Sequence, residues 1–311
     1  MDTRPCRAEY DTVPGVDVSI VIVSYNGREH LRRCLTSIFE RTQNVSFEVI
    51  VADNASSDGT PEMVVAEFPQ VTLLRRSTNA GFAYAANQGI AIARGRTFFL
   101  LNPDAELLGN ALPPMLAYLD GQPDIAILAP KLLDPDGSLQ LSCRAFPGFS
   151  TALFNRNSPL TRLFGRNRFS TRYLMTDFDH GETADVDWAS AACWLLPRLA
   201  YEKIGPLDEG YFWTSEDVDY CQRAHRAGLR VVYFPEIAIQ HHIGRSAATL
   251  PYRTTIERHR GMWRYYRSYL RPHGKIARLL VDSFVWTGIQ SRCAFHLAAS
   301  GLRGALRIGK S

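Results

Sequence analysis

The stretch VSIVIVSYN, residues 18–26, opens on a continuous β-branched and apolar run, VSIVIV, and then breaks into polar residues. A run without polar alternation marks a strand buried on both faces, as in a parallel sheet. Leu31, Leu35, Ile38 and Phe39 follow at helical spacing with Arg and Glu between them, and a second strand is expected over FEVIVAD (47–53). A Ser/Asp/Gly loop, a short helix near 61–67, a third strand at Val71–Leu74, an Ala-rich helix over 82–94 and a strand at TFFLLN (97–102) continue the pattern. Strand and helix in turn predict a doubly wound α/β sheet, whose ligands bind at the carboxyl ends of the strands.

Further along, a strand near Ile125–Ala129 leads into the turn signal DPDG (134–137). A stretch from about 144 to 180 shows no period and reads as a variable insertion. Order returns with VDWASAACWLLP (186–197), a helix near 198–204, the loop GPLDEGYFW, a helix over Glu216–Ala227, and strands at Leu229–Phe234 and Ala238–Gln240. The division expected is a tail over 1–16, a catalytic domain over 17–250 and a basic, aromatic, helical extension over 251–311.

The 311 residues are 46% hydrophobic and 11% aromatic, with 35 Lys plus Arg against 31 Asp plus Glu, the composition of a folded chain with a full core. The longest apolar runs fall far short of the roughly 18 to 20 residues of a membrane-spanning helix. MDTRPCRAEYDTVPG at the N-terminus holds no apolar stretch of signal-peptide length, so export is not expected. Six scattered cysteines without CxxC spacing suit reduced thiols in a cytoplasm. From Arg253 onward, 12 Lys plus Arg face two acids, Glu257 and Asp282, so the C-terminal part carries about +10.

Four constellations could carry chemistry. Asp53 ends the second strand ahead of Asn54, Ser56, Ser57, Asp58 and Gly59; it can accept hydrogen bonds from a base or ribose, or belong to a loop that caps the helix at Pro61. Asp104, in Asn102-Pro103-Asp104 after TFFLLN, suits a hard oxygen ligand for Mg²⁺ or Mn²⁺ that also holds a diphosphate, though Asn-Pro-Asp is equally turn chemistry. EDVDYCQR (216–223) sets three acids at a helix start, where the dipole favours them and Asp219 can pair with Arg223. The preceding Tyr211-Phe212-Trp213 would wall off a pocket in which a carboxylate takes a proton from an attacking hydroxyl. His241 and His242 end a strand before Ile243-Gly244-Arg245-Ser246; an imidazole there can complete a metal's coordination and Arg245 can neutralise leaving-group charge, or the pair is structural.

Taken in order, VSIVIVSYN (18–26), VADNASSDGT (51–60), NAGFAYAANQGI (79–90), LLNPDAEL (100–107), GPLDEGYFWTSEDVDYCQR (205–223) and HHIGRS (241–246) resemble the family 2 glycosyltransferases, of GT-A fold, and most of all their bacterial rhamnosyltransferase-type members. The resemblance covers roughly 17–250. It implies that Asp53, with the backbone around Ser24 and Tyr25, binds the pyrimidine and ribose of a nucleotide donor, and that Asn79, Gly81 and Asn87 line the same cleft. Asp104 would be the surviving acid of a DxD motif whose first position is Asn102. Asp217 would be the catalytic base and Glu216 its neighbour, His241 the downstream histidine on the metal, and Trp188 and Trp213 the flanks of the sugar or acceptor. Ser190-Ala191-Ala192 stands where relatives often carry a glycine.

The activity implied is metal-dependent, inverting transfer of a sugar, expected to be L-rhamnose from dTDP-L-rhamnose or a similar dTDP- or UDP-sugar, to a cell-envelope glycan or lipid-linked acceptor. Basic and aromatic residues interleaved over 253–290 suit peripheral contact with the inner face of an anionic membrane as well as packing on the catalytic domain. No nucleic-acid reader motif accompanies the charge. The alternatives are a nucleotidyltransferase of related fold, for which Ser24-Tyr25-Asn26-Gly27-Arg28 offers only a weak version of the needed loop, and a catalytically silent sugar-binding or scaffold protein.

Overall fold

The computed structural model describes residues 15–148, 171, 173, 175–242 and 251–308. Most of the tail expected over 1–16, most of the insertion expected over 144–180, and Arg245 therefore lie outside the described residues.

β1 (Val18–Ser24), α1 (Arg28–Arg41), β2 (Phe47–Asp53), α2 (Thr60–Glu67), β3 (Thr72–Arg75), α3 (Phe82–Ile92) and β4 (Thr97–Leu101) follow the expected alternation. Two elements come next that the sequence did not announce, β5 (Ala105–Leu107) and α4 (Leu112–Leu119). Three residues are too few for a period. The prolines of LPPMLAYL sit in the first turn of α4, where a missing N–H costs nothing.

The chain continues through β6 (Ile125–Leu133), the two-residue strands β7 (Leu139–Gln140), β8 (Cys143–Arg144), β9 (Ala184–Asp185) and β10 (Trp188–Ala189), then β11 (Cys193–Pro197), α5 (Arg198–Ile204) and α6 (Glu216–Arg226). The two strands expected after α6 are one, β12 (Arg230–His241), whose pairing with β6 shifts register between Phe234 and Ala238. An irregularity of this kind breaks the sequence period without ending the strand. α7 (Pro251–Tyr265), a π-helical turn at Tyr266–Leu270 and α8 (Lys275–Ile308) complete the chain.

The main sheet runs β3-β2-β1-β4-β11-β6-β12-β5. β3, β2, β1 and β4 are parallel, and β11 lies antiparallel to both β4 and β6. β12 is parallel to β6 and antiparallel to β5. It follows that β1, β2, β4, β6 and β12 all end at one edge, and that β5 starts there.

Helices cover both faces. One core joins Ile20, Ile22, Val49 and Val51 to Leu31, Leu35 and Ile38 of α1 and Met115 of α4. The other joins Val21, Ile50 and Phe98 to Ala83 and Ala86 of α3 and Tyr220 of α6. Adjacent residues of a strand point to opposite faces, so a strand flanked on both sides is apolar on both, as the run at 18–23 is apart from Ser19, whose hydroxyl is bonded to Glu48. α7 and α8 pack on each other, with Trp263 and Trp286 edge to face at 5.0 Å. The five cysteines among the described residues are free and buried.

Candidate active site

Ser24 and Asp53 are register partners at the ends of β1 and β2, and both are buried. The Asn54 N–H donates to the Ser24 carbonyl at 2.8 Å, which locks the two strand ends together. Asp53 accepts the Ser56 N–H on Oδ2 at 3.0 Å, while Oδ1 is buried without a partner. Burial lifts the Asp53 carboxyl above its ordinary range, against the Ser56 hydrogen bonds that lower it.

Asn54 organises the neighbouring loop. Its Nδ2 donates to Asn79 Oδ1 at 2.9 Å and to the Gly81 carbonyl at 3.1 Å, and its Oδ1 accepts the Ala80 N–H at 3.1 Å. Gly81, at φ +94°, is a glycine because of Phe212: a Cβ there would lie 2.7 Å from the Phe212 carbonyl oxygen. The close approach that Gly81 permits is thus to a wall of the cleft. The Phe82 N–H donates to the same carbonyl at 3.1 Å.

Asp104 and His241 are brought together by β5. His241 pairs with Ala105, so the residue just before β5 faces the end of β12. Asp104 Oδ1 lies 3.4 Å from His241 Nε2 and has no hydrogen-bond donor. Asn102 Nδ2 stands 3.3 Å from the same ring nitrogen. Gln140 Oε1 lies 3.0 Å from His241 Nδ1, and Gln140 Nε2 donates to Asp134 Oδ1 at 2.8 Å and to the His241 carbonyl at 2.6 Å. His242 turns away, its Nε2 3.2 Å from Glu106.

The loop 205–215 is tied down on several sides. Asn87 donates to the Leu207 carbonyl at 2.9 Å and to Glu209 at 3.0 Å, and accepts the Leu207 N–H at 3.0 Å. Arg264 of α7 grips Asp208 with two hydrogen bonds of 2.8 Å. Thr214 and Ser215 both have left-handed backbones, φ +65° and +75°, and turn the chain into α6. At that helix start Asp217 Oδ1 accepts the Val218 N–H at 2.9 Å. Burial raises the Asp217 carboxyl, with the Val218 amide, Arg144 and the Ala191 amide acting against it. Burial and the Asp217 charge raise Glu216 as well, and its Oε2 is buried without a partner. Asp219 makes the expected bond to Arg223, at 2.9 Å, and accepts the Tyr269 hydroxyl at 2.6 Å.

A cleft of about 340 Å³ opens over this edge. Of the residues singled out from sequence, it gathers Tyr25, Asn79, Gly81, Asn102, Asp104, Trp213 and His241. Ser24 and Asp53 lie beneath it in the strand ends. Glu216 and Asp217 stand next to it in the chain, beyond the lining residue Thr214, and Asp217 touches Ala191, the neighbour of lining Ser190. Two residues take other places. Asn87 is a bracket for the loop 205–215, and Trp188 is buried in the core, its Nε1 donating to the Ala145 carbonyl at 2.9 Å and its ring 5.4 Å from the Arg144 guanidinium.

Sequence reading did not assign roles to Asn54, Gln140, Thr254 or Arg258; Phe212, read there as part of a pocket wall, does line the cleft. Asn54 lay inside a quoted motif and Arg258 among basic residues read for charge alone; nothing in sequence ties Gln140 to His241, 101 residues away.

Asp104 and His241 fit a divalent cation. A buried carboxylate oxygen without a donor lies beside a ring nitrogen, a mixed oxygen and nitrogen set that a diphosphate would complete. Among the described residues no cluster of three or more His, Cys, Asp or Glu could hold a metal by itself.

A family model described as Glycosyl transferase family 2 matches residues 19–175. The N-acetylglucosaminyl-diphospho-decaprenol L-rhamnosyltransferase of Mycobacterium tuberculosis is 31% identical over 267 residues, 79% of this chain and 86% of that protein. The low-salt glycan biosynthesis hexosyltransferase of Haloferax volcanii is 23% identical over 219 residues, 69% of this chain and 64% of that one. Among solved structures, a mannosyltransferase from Pyrobaculum calidifontis in complex with GDP-Man and Mn²⁺ superimposes with TM-score 0.54 at 16% identity, covering 99% of this chain and 83% of that one. GalNAc-T7 with UDP, GalNAc and Mn²⁺ gives 0.56 at 16% identity, covering 92% and 58%. These likenesses show that the fold is of the GT-A type.

Proposed function

The chain belongs to glycosyl transferase family 2, and on that premise we propose that it transfers L-rhamnose, carried as dTDP-L-rhamnose, to a hydroxyl of a lipid-linked cell-envelope glycan, with inversion at the anomeric carbon. The observation that carries this reading is the Asp104–His241 pair, set at the shared carboxyl edge of the sheet in one cleft with Tyr25 and Asn79. The rhamnosyl group and the diphospho-linked acceptor are named by analogy with the mycobacterial relative.

Asp53, with its unpartnered Oδ1, suits the ribose or base of the donor, together with the backbone around Ser24 and Tyr25. Asn79 and Asn102 supply amides to the same cleft, and Trp213 an aromatic wall. Asp104 and His241 would hold Mg²⁺ or Mn²⁺, which when bound offsets the diphosphate charge. The acceptor hydroxyl attacks the anomeric carbon, its proton passes to the Asp217 carboxylate, and the nucleoside diphosphate leaves from the opposite face. A raised carboxyl suits that role, because a base works best with a pKa close to the working pH. A single displacement inverts configuration.

Contact with the inner face of the membrane has its support in α8. Ile276, Leu279, Leu280, Phe284, Trp286 and Phe295 are exposed there. At about 100° per residue they occupy one half of the helix, and Lys275, Arg278, Asp282 and Arg292 fall on the other. A broad uncharged face with basic residues at its border suits an anionic bilayer. Among the described residues no helix is long and apolar enough to cross a membrane.

The test is transfer from dTDP-, UDP- and GDP-sugars to a synthetic prenyl-diphospho-N-acetylglucosamine, with the product's anomeric configuration read by NMR. Rhamnose transfer with inversion, lost in Asp104→Ala, is the expected result. Retention of configuration overturns the mechanism; donor binding without turnover favours a silent sugar-binding protein.

A further inference from the structure

A second cavity, of about 190 Å³, lies between α7 and α8 and shares one lining residue, Arg258, with the donor cleft. Around it stand Arg258 and His259 of α7 and Arg292 and His296 of α8, with Thr255, Met262 and Ser300 completing a lining that holds no carboxylate. Among the described residues neither Arg258 nor Arg292 forms an ion pair or a hydrogen bond, unlike Arg264 and Arg271 nearby, which hold Asp208 and Asp282. His259 is 4% exposed; its Nδ1 donates to the Thr255 carbonyl at 2.7 Å, so its buried Nε2 is left without a partner. Burial and the neighbouring cations hold His259 below the usual histidine range, and burial beside Arg258 lowers Arg292. The half-buried Arg292 guanidinium without a counterion is costly, and an anion seated between it and the exposed Arg258 removes that cost.

We propose that this cavity binds the diphosphate of the lipid-linked acceptor. The proposal rests on the functional reading above and gives that acceptor its binding site. Arginine is suited to phosphate oxygens because its planar fork donates two hydrogen bonds at once. Arg258 places the diphosphate beside the donor cleft, so the sugar attached to it can present its hydroxyl there. α8, which supplies Arg292 and His296, also carries the uncharged face, so a single helix would meet both the charged head and the apolar tail of one substrate.

Calorimetry on the full chain tests this in EDTA, where the donor site has no cation to hold a diphosphate. The probes are inorganic pyrophosphate, farnesyl diphosphate in detergent, and farnesol. Wild-type chain should bind the first two and not the third, and Arg292→Gln should weaken both by about tenfold or more, the loss of one charge-assisted contact. Binding of UDP with Mn²⁺ should be unchanged in that variant, which also shows it folded; should Arg292→Gln fail that control, His296→Gln replaces it with the same expectation. Equal affinities in wild type and variant overturn the site, and binding of pyrophosphate but not farnesyl diphosphate overturns the acceptor assignment. No pyrophosphate binding by a chain that still takes UDP and Mn²⁺ overturns the site alone; loss of both removes the donor reading as well.

Discussion

Gln140 Oε1 stands 3.0 Å from His241 Nδ1, and the glutamine decides which of the two donates. Gln140 Nε2 already donates to Asp134 and to the His241 carbonyl, so its oxygen must face the ring and accept. The ring therefore carries its proton on Nδ1 in the neutral form and turns a bare Nε2 toward Asp104. A second-layer hydrogen bond that fixes the tautomer in this way raises a histidine's worth as a metal ligand.

Replacing that acceptor should loosen the cation. Gln140→Leu is expected to weaken Mn²⁺ binding roughly ten- to a hundredfold, measured by titration in the presence of UDP. Gln140→Glu keeps an acceptor for Nδ1 and should lose less. Equal affinity in Gln140→Leu and the parent would deprive the glutamine of this role.

Asp217→Asn keeps the volume and loses the carboxylate proposed as base. Transfer should fall by roughly 10² to 10⁴-fold, while donor affinity stays near that of the parent. In the parent, burial raises the Asp217 carboxyl, so the acid limb of the rate profile should lie above that of an exposed aspartate. A rate independent of pH through that range, or full turnover by the variant, excludes the assignment.

Glu216 predicts a pH-dependent stability of definite sign. Its carboxyl is raised in the folded chain by burial and by Asp217, so the folded state keeps a proton that the unfolded state gives up. Its contribution is most favourable at low pH and is lost as pH rises through the folded-state value. Glu216→Gln, which cannot ionise, should therefore gain in Tm relative to the parent on going from about pH 5 to about pH 9. A variant Tm that falls relative to the parent's over this interval would contradict the environment described.

At Gly81 the expected damage is mechanical. Gly81→Ala forces a side chain into a left-handed backbone and against the Phe212 carbonyl, which should cost about 1–3 kcal/mol in urea melts. Because the same loop carries Asn79 into the cleft, the KM for donor should rise more than kcat falls.

How much of this was legible depended on whether a feature is local. The parallel half of the sheet could be read because β1, β2 and β4 are mostly apolar and β-branched runs between turn signals. β5 could not, since Ala105–Leu107 is too short for a period, and yet it is what sets Asp104 against His241. Asp53, Asp104 and His241 stood out because polar residues directly after apolar strands fall at a sheet edge. Asn87 and Trp188 were assigned to binding by resemblance; their partners, Leu207 and Ala145, are defined only by tertiary packing. Gln140 gave no signal, because an uncharged amide in a loop-like stretch announces nothing until the fold supplies its neighbour.

Thr254 and Arg258 of α7 line the cleft over the sheet edge, and Arg264 holds the loop that carries Trp213. Cutting the chain before residue 251 would thus leave a sheet with an open-sided pocket. A chimera that borrows its last sixty residues from a relative would inherit that relative's handling of the nucleotide along with its address in the cell.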